Sequence, residues 1–64
     1  MNNLKLLRKN KNFSQIQLAS ELGVSQQAVA KWESGKSTPR TEKLIQLAKI
    51  LNCTVDELIS DENL

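Results

Sequence analysis

Histidine and tyrosine are absent from the 64 residues, and cysteine, tryptophan, phenylalanine and proline occur once each. Without histidine the commonest zinc ligand and general base is missing. The lone Cys53 excludes an internal disulfide and a multi-thiolate metal site. No activated nucleophile and no glycine-rich phosphate loop can be assembled from this inventory, so an enzyme is not expected, nor is any cofactor. No apolar run approaches the roughly 18 to 20 residues that cross a bilayer. The opening Met1-Asn2-Asn3-Leu4-Lys5 has neither a signal-peptide core nor a cleavage site, so a cytoplasmic location is expected.

What is present has the balance of a globular chain, 39% hydrophobic and 25% charged. At this size folding hides only about 60% of the surface of the unfolded chain, so the core must be simple. We expect one domain over residues 1–64, with 61–64 a frayed tail. The net charge of +2 is unevenly spread. Residues 1–40 hold Lys5, Arg8, Lys9, Lys11, Lys31, Lys36 and Arg40 against Glu21 and Glu33. Residues 41–64 hold Lys43 and Lys49 against Glu42, Asp56, Glu57, Asp61 and Glu62. A basic front points to a polyanion partner, although an uneven solvated surface has the same composition.

The patterning predicts five short helices and no strand. Leu4, Leu7 and Arg8 share a face of a helix over about 3–11, capped by Asn2 or Asn3 and stopped at Asn12. Leu6 lies off that face, either as an exposed singleton or as part of a partner surface. Ser14 to Gln17 reads as a capping box for a helix over about 15–22, with Ile16, Leu18, Ala19 and Leu22 apolar and Gly23 its stop. Ser25 caps a third helix to about Ser34, with Val29 and Trp32 inward and Gly35 the stop. Pro39 precedes a fourth helix, about 41–52, striped by Leu44, Leu47, Ala48 and Leu51. Thr54 to Glu57 is a second capping box, for a helix ending about Ser60.

The segment from Gln15 to Ser34 is a helix, one glycine turn and a second helix. A steep crossing tolerates only a small residue at the contact, and Ala19 fits. With Leu18, Leu22, Val24, Val29 and Trp32 inward, the outer face of the third helix carries Gln26, Gln27, Ala30 and Lys31. Each Gln pairs a donor with an acceptor, as adenine N6 and N7 require, and Lys31 reaches guanine O6 and N7 or a phosphate. Simple solvation is the alternative for both glutamines. At core spacing Trp32 is a packed residue rather than a stacking platform. Asp56 and Glu57 are first-turn acids that suit the helix dipole rather than a metal, and no metal site is expected.

In order along the chain, Ser14-Gln15, Leu18-Ala19, Leu22-Gly23-Val24-Ser25, Val29, Trp32-Glu33-Ser34-Gly35-Lys36, Pro39, Leu44 and Leu47-Ala48 resemble the helix-turn-helix of the phage Cro and cI repressors and their bacterial relatives, the XRE family. The resemblance covers residues 4 to about 60. It implies an all-α, five-helix, lambda-repressor-like domain that reads double-stranded DNA in the major groove. Base readers would be Gln26, Gln27 and Lys31. Phosphate contacts would be Gln15, Ser25, Ser34, Lys36, Ser37, Thr38 and Arg40, with Gln15 also steadying Gln26. The family commonly pairs the arginine at Arg8 with the acid at Glu33, and an ion pair is expected, with a phosphate contact the alternative for Arg8.

The implied function is a bacterial or phage-encoded transcriptional repressor. One recognition helix covers a few base pairs, so a homodimer on a two-fold operator is expected. Its surface would draw on Ile50, Val55, Leu58, Ile59 and Leu64, some of which belong to the core instead. The alternative is an antitoxin or adaptor whose main partner is a protein. Several positions depart from the family pattern. Asn12 and Asn52 stand where Gly is usual, which keeps the turn at some cost in stability, and Leu6 where members are often polar. Cys53 stands where an aliphatic residue is usual, an inert small hydrophobe rather than a redox switch.

Overall fold

A computed structural model describes residues 3–60. Those residues form α1 (Asn3–Asn10), α2 (Gln15–Leu22), α3 (Gln26–Ser34), α4 (Thr41–Leu51) and α5 (Val55–Ile59), and no strand occurs among them. The all-α expectation holds, with each helix end within one residue of its predicted place. The proposed tail 61–64 and Leu64 lie outside the described residues.

Local chemistry explains the boundaries. The Ser14 hydroxyl accepts from Gln17 N at 3.0 Å, and Ser14 N donates to Gln17 Oε1 at 2.8 Å. Thr54 and Glu57 repeat this reciprocal pair at the start of α5. Both satisfy N–H groups that a helix start leaves without partners. Four helices close in one way, with a left-handed residue whose neighbours bond back to the last turn. At Gly23 (φ 70°), Val24 N donates to Ala19 O at 3.0 Å. At Gly35 (φ 81°), Lys36 N donates to Lys31 O at 2.9 Å. Asn12 (φ 62°) and Asn52 (φ 55°) do the same work, since Asn tolerates this region better than other side chains. The two asparagines thus supply the left-handed turn that glycine supplies at positions 23 and 35.

The core is Leu4, Leu18, Ala19, Leu22, Val29, Trp32, Leu47, Leu51 and Leu58, with Leu7, Phe13, Val24, Ile50 and Cys53 packed against it. α2 packs on α3 and α4, and α1 and α4 both pack on α5. Two polar ties bridge helices distant in the chain. Asn3 Nδ2 donates to Glu57 O at 2.8 Å, joining α1 to α5. Lys43 Nζ donates to Leu22 O at 2.9 Å, placing an α4 cation on the carbonyl end of α2.

Three expectations need correction. Ile16 is not an inner residue of α2 but 64% exposed. It precedes Leu18 by two positions, about 200° around the helix and so on the far side. Leu44 is only half-buried, because it sits in the first turn of α4 where the stripe runs out past the core. Leu58, a candidate for the dimer surface, is wholly buried in the core, where α5 packs on α1 and α4. Cys53 is partly buried, and burial followed by the nearby Glu57 carboxylate pushes its thiol above the ordinary value. Thiolate is then scarce at neutral pH, which makes Cys53 a poor nucleophile.

The neighbours Leu58 and Ile59 give a paired test of this packing. Leu58→Ala removes a fully enclosed side chain and should cost about 2–5 kcal/mol, enough to unfold much of so small a protein. Ile59, 47% exposed, should lose under about 1 kcal/mol on the same change. Urea denaturation followed by helical circular dichroism reads both.

Candidate nucleic-acid interface

The candidate surface is built where α2 and α3 meet α1. Leu18, Ala19, Leu22, Val29 and Trp32 point inward, leaving Gln26, Gln27 and Lys31 exposed along α3. Ala30, between them, is half-buried. No acidic side chain stands on this face before Glu33.

Glu33 itself does not face outward. Arg8 Nε donates to Glu33 Oε2 at 2.6 Å and Arg8 Nη2 to Oε1 at 3.2 Å, a two-pronged pair. The two side chains are only 8% and 5% exposed. The third prong, Arg8 Nη1, donates to Phe13 O at 2.7 Å and pins the loop that delivers the chain into α2. Arg8 thus enters the apolar face of α1 because each direction of its guanidinium meets an acceptor. No buried side-chain nitrogen or oxygen among the described residues lacks a hydrogen-bond partner.

From that pair a line of hydrogen bonds runs to the exposed face. Gln15 Nε2 donates to Glu33 Oε1 at 3.0 Å, and Gln26 Nε2 donates to Gln15 Oε1 at 3.4 Å. The first residue of α2 is therefore tied at one end to the ion pair and at the other to the first residue of α3. Gln15 was expected to steady Gln26. Its second bond, to Glu33, was not foreseen, because it joins residues 18 apart that only the tertiary fold brings together.

The remaining candidate contacts surround this centre. Lys36, Ser37, Thr38 and Arg40 are all exposed along the loop after α3. Arg40 is also the N-cap of α4, which opens without a side-chain cap. Ser25 Oγ accepts from Ala28 N at 3.1 Å, and its hydroxyl proton is left to donate elsewhere. Ser34 differs, since its hydroxyl already donates to Lys31 O at 3.2 Å. A phosphate would have to displace that bond. Of the dimer candidates, Ile59 is exposed and Ile50 and Val55 half-buried, while Leu58 is interior. Ile45 on α4, 47% exposed, is an apolar surface residue that the stripe pattern did not single out.

The ion pair predicts a non-additive pair of substitutions. Glu33→Leu or Arg8→Met alone leaves a buried charge without its partner and should cost about 3–5 kcal/mol. The double substitution removes both charges and should recover most of that loss. A double-mutant cycle on urea midpoints measures the coupling.

A family model described as helix-turn-helix matches residues 4–58. The HTH-type transcriptional activator BcrR of Enterococcus faecalis is 49% identical over 61 residues, covering 95% of this chain and 30% of the relative. The cryptic phage CTXphi transcriptional repressor RstR of Vibrio cholerae is 40% identical over 60 residues, 88% of this chain and 54% of the relative. The HTH-type transcriptional regulator AnsR of Bacillus subtilis is 41% identical over 56 residues, 88% of this chain and 48% of the relative. The chain thus spans 30–54% of the length of these relatives. No described helix is long and apolar enough to cross a membrane. With the match running from the first core leucine of α1 to the last of α5, the chain belongs to the helix-turn-helix family of the Cro and cI type.

Proposed function

We propose that this protein is a sequence-specific double-stranded DNA-binding regulator that reads the major groove with α3 and represses by occupying promoter DNA. The observation that carries this reading is the exposed N-terminal face of α3. Gln26, Gln27 and Lys31 lie free of acidic neighbours, and Gln26 is already held by Gln15. Base-edge hydrogen bonding requires such a face, because each glutamine can meet adenine N6 and N7 and Lys31 can meet guanine O6 and N7. Gln15, Ser25, Lys36, Ser37, Thr38 and Arg40 flank it and supply phosphate contacts, which fix register and make affinity depend on salt. Ser34 serves the same backbone once its bond to Lys31 O is exchanged. Relatives of both regulatory signs exist, one named an activator and one a repressor. Repression is the outcome that needs no contact beyond the DNA itself.

The described residues extend 29 Å along their longest axis. Half-sites one helical turn apart lie about 34 Å from centre to centre, so a symmetric operator takes two copies. The exposed Ile59 and Ile45 and the half-buried Ile50 and Val55 are the apolar side chains available for that pairing. The exposed Leu6, at 57%, favours a second reading in which a protein partner covers α1, as an antitoxin or adaptor would require.

Selection from a randomised duplex pool at about 150 mM salt tests the first reading. An inverted repeat with one-turn spacing should be enriched, and Gln26→Ala/Gln27→Ala should lose it. On the selected site Lys36→Ala should weaken binding to all sequences alike and flatten the log–log salt slope by about 0.9. Enrichment that survives the double glutamine change would remove α3 as the reading surface.

A further inference from the structure

The line of hydrogen bonds from the core to the surface has a direction, and the direction is set by the ion pair. A carboxylate only accepts, so Glu33 Oε1 can face Gln15 only through the Nε2 end of the Gln15 amide. The Oε1 end of Gln15 then points the other way, where it too can only accept. Gln26 must meet it with Nε2. The atoms of Gln26 left over are its carbonyl oxygen and its second N–H, one acceptor beside one donor. Adenine presents the complement in the major groove, a donor at N6 and an acceptor at N7. Were the Gln15 amide turned end for end, Gln26 would spend its carbonyl on Gln15 and present two N–H donors instead. That pattern suits the paired O6 and N7 acceptors of guanine.

We propose that the buried Arg8–Glu33 pair is a positioning device for base recognition, fixing the amide polarity of Gln15 and, through it, which purine Gln26 prefers. Arg8 contributes by holding the carboxylate with two prongs, Nε on Oε2 and Nη2 on Oε1, so that Oε1 stays turned toward Gln15. Neither Arg8 nor Glu33 touches a base. Their effect passes through an amide whose two ends are nearly equal in shape and opposite in hydrogen-bonding sense. The inference rests on α3 reading a base edge, and it adds two residues with almost fully buried side chains to the determinants of specificity.

The test compares the native chain with Gln26→Ala, Glu33→Gln, Gln15→Leu, the Glu33→Gln/Gln15→Leu combination and Arg8→Met/Glu33→Leu in duplex selection, with helicity measured for each. Glu33→Gln gives Gln15 a partner that can either donate or accept. Arg8→Met/Glu33→Leu removes the acceptor while replacing the buried charges by apolar groups, a change that folded proteins often tolerate. If Glu33→Gln fails to fold, this variant and Gln15→Leu carry the comparison. At the one half-site position whose preference Gln26→Ala abolishes, the adenine-over-guanine ratio should fall about fivefold or more, the lower end of what one bidentate pair discriminates. Preferences at the other positions should stay as in the native chain. Adding Gln15→Leu to Glu33→Gln should cause no further loss, since both cut one line.

Folded variants that keep the native ratio, or that lose enrichment evenly at every position, would overturn the proposal and leave the pair a purely structural element. Failure of the native chain to enrich any duplex is a separate result. It would remove the reading of α3 itself, and this inference with it.

Discussion

The structure depends on one charge taken out of water. Arg8 occupies a place on α1 that the periodicity of the helix assigns to the core, one turn from Leu4. A guanidinium there is tolerable only if its donors are met, and they are met by groups on two other elements of the same core. Glu33 comes from the last turn of α3 and Phe13 O from the loop before α2. One side chain therefore fixes α1, the entry to α2 and the far end of α3 relative to one another. Where the apolar core is as small as this one, such a junction specifies geometry that leucine packing alone leaves loose.

The consequence for the surface is one of order. Gln15 stands between the buried pair and the exposed Gln26, so the proposed reading face would take its orientation from the interior. Ordering a long polar side chain on binding carries an entropic cost. A glutamine already engaged through Gln15 meets part of that cost in the folded state. The loop from Lys36 to Arg40 lies outside this line, with exposed side chains suited to phosphates that require charge more than exact placement.

Much of this was legible in the sequence, for a physical reason that differs from feature to feature. Capping boxes at Ser14 and Thr54, and left-handed stops at Gly23, Gly35, Asn12 and Asn52, are decided within four or five residues and could be read directly. Helix phase showed which side of α1 faces inward, including Arg8. Phase does not report depth, so Leu58 could not be separated from Ile59 as core against surface, and Leu44 was assigned more burial than its end position allows. Ile16 is apolar but lies about 200° around α2 from Leu18, so residue type alone does not place it inside. The bonds Gln15–Glu33, Lys43–Leu22 and Asn3–Glu57 join residues 18, 21 and 54 positions apart. They leave no local trace, because each depends on how whole helices meet.

The central claim is that the α3 face, oriented from within, is where this protein meets DNA. The most direct measurement is a backbone and side-chain amide NMR titration of the labelled chain with its selected duplex. The account predicts that the largest changes fall on the side-chain amides of Gln15, Gln26 and Gln27 and on the backbone of Lys31 and Lys36 to Thr38, with α5 moving little or only through pairing of two copies. Changes centred on Leu6, or none at the glutamine amides, would contradict it.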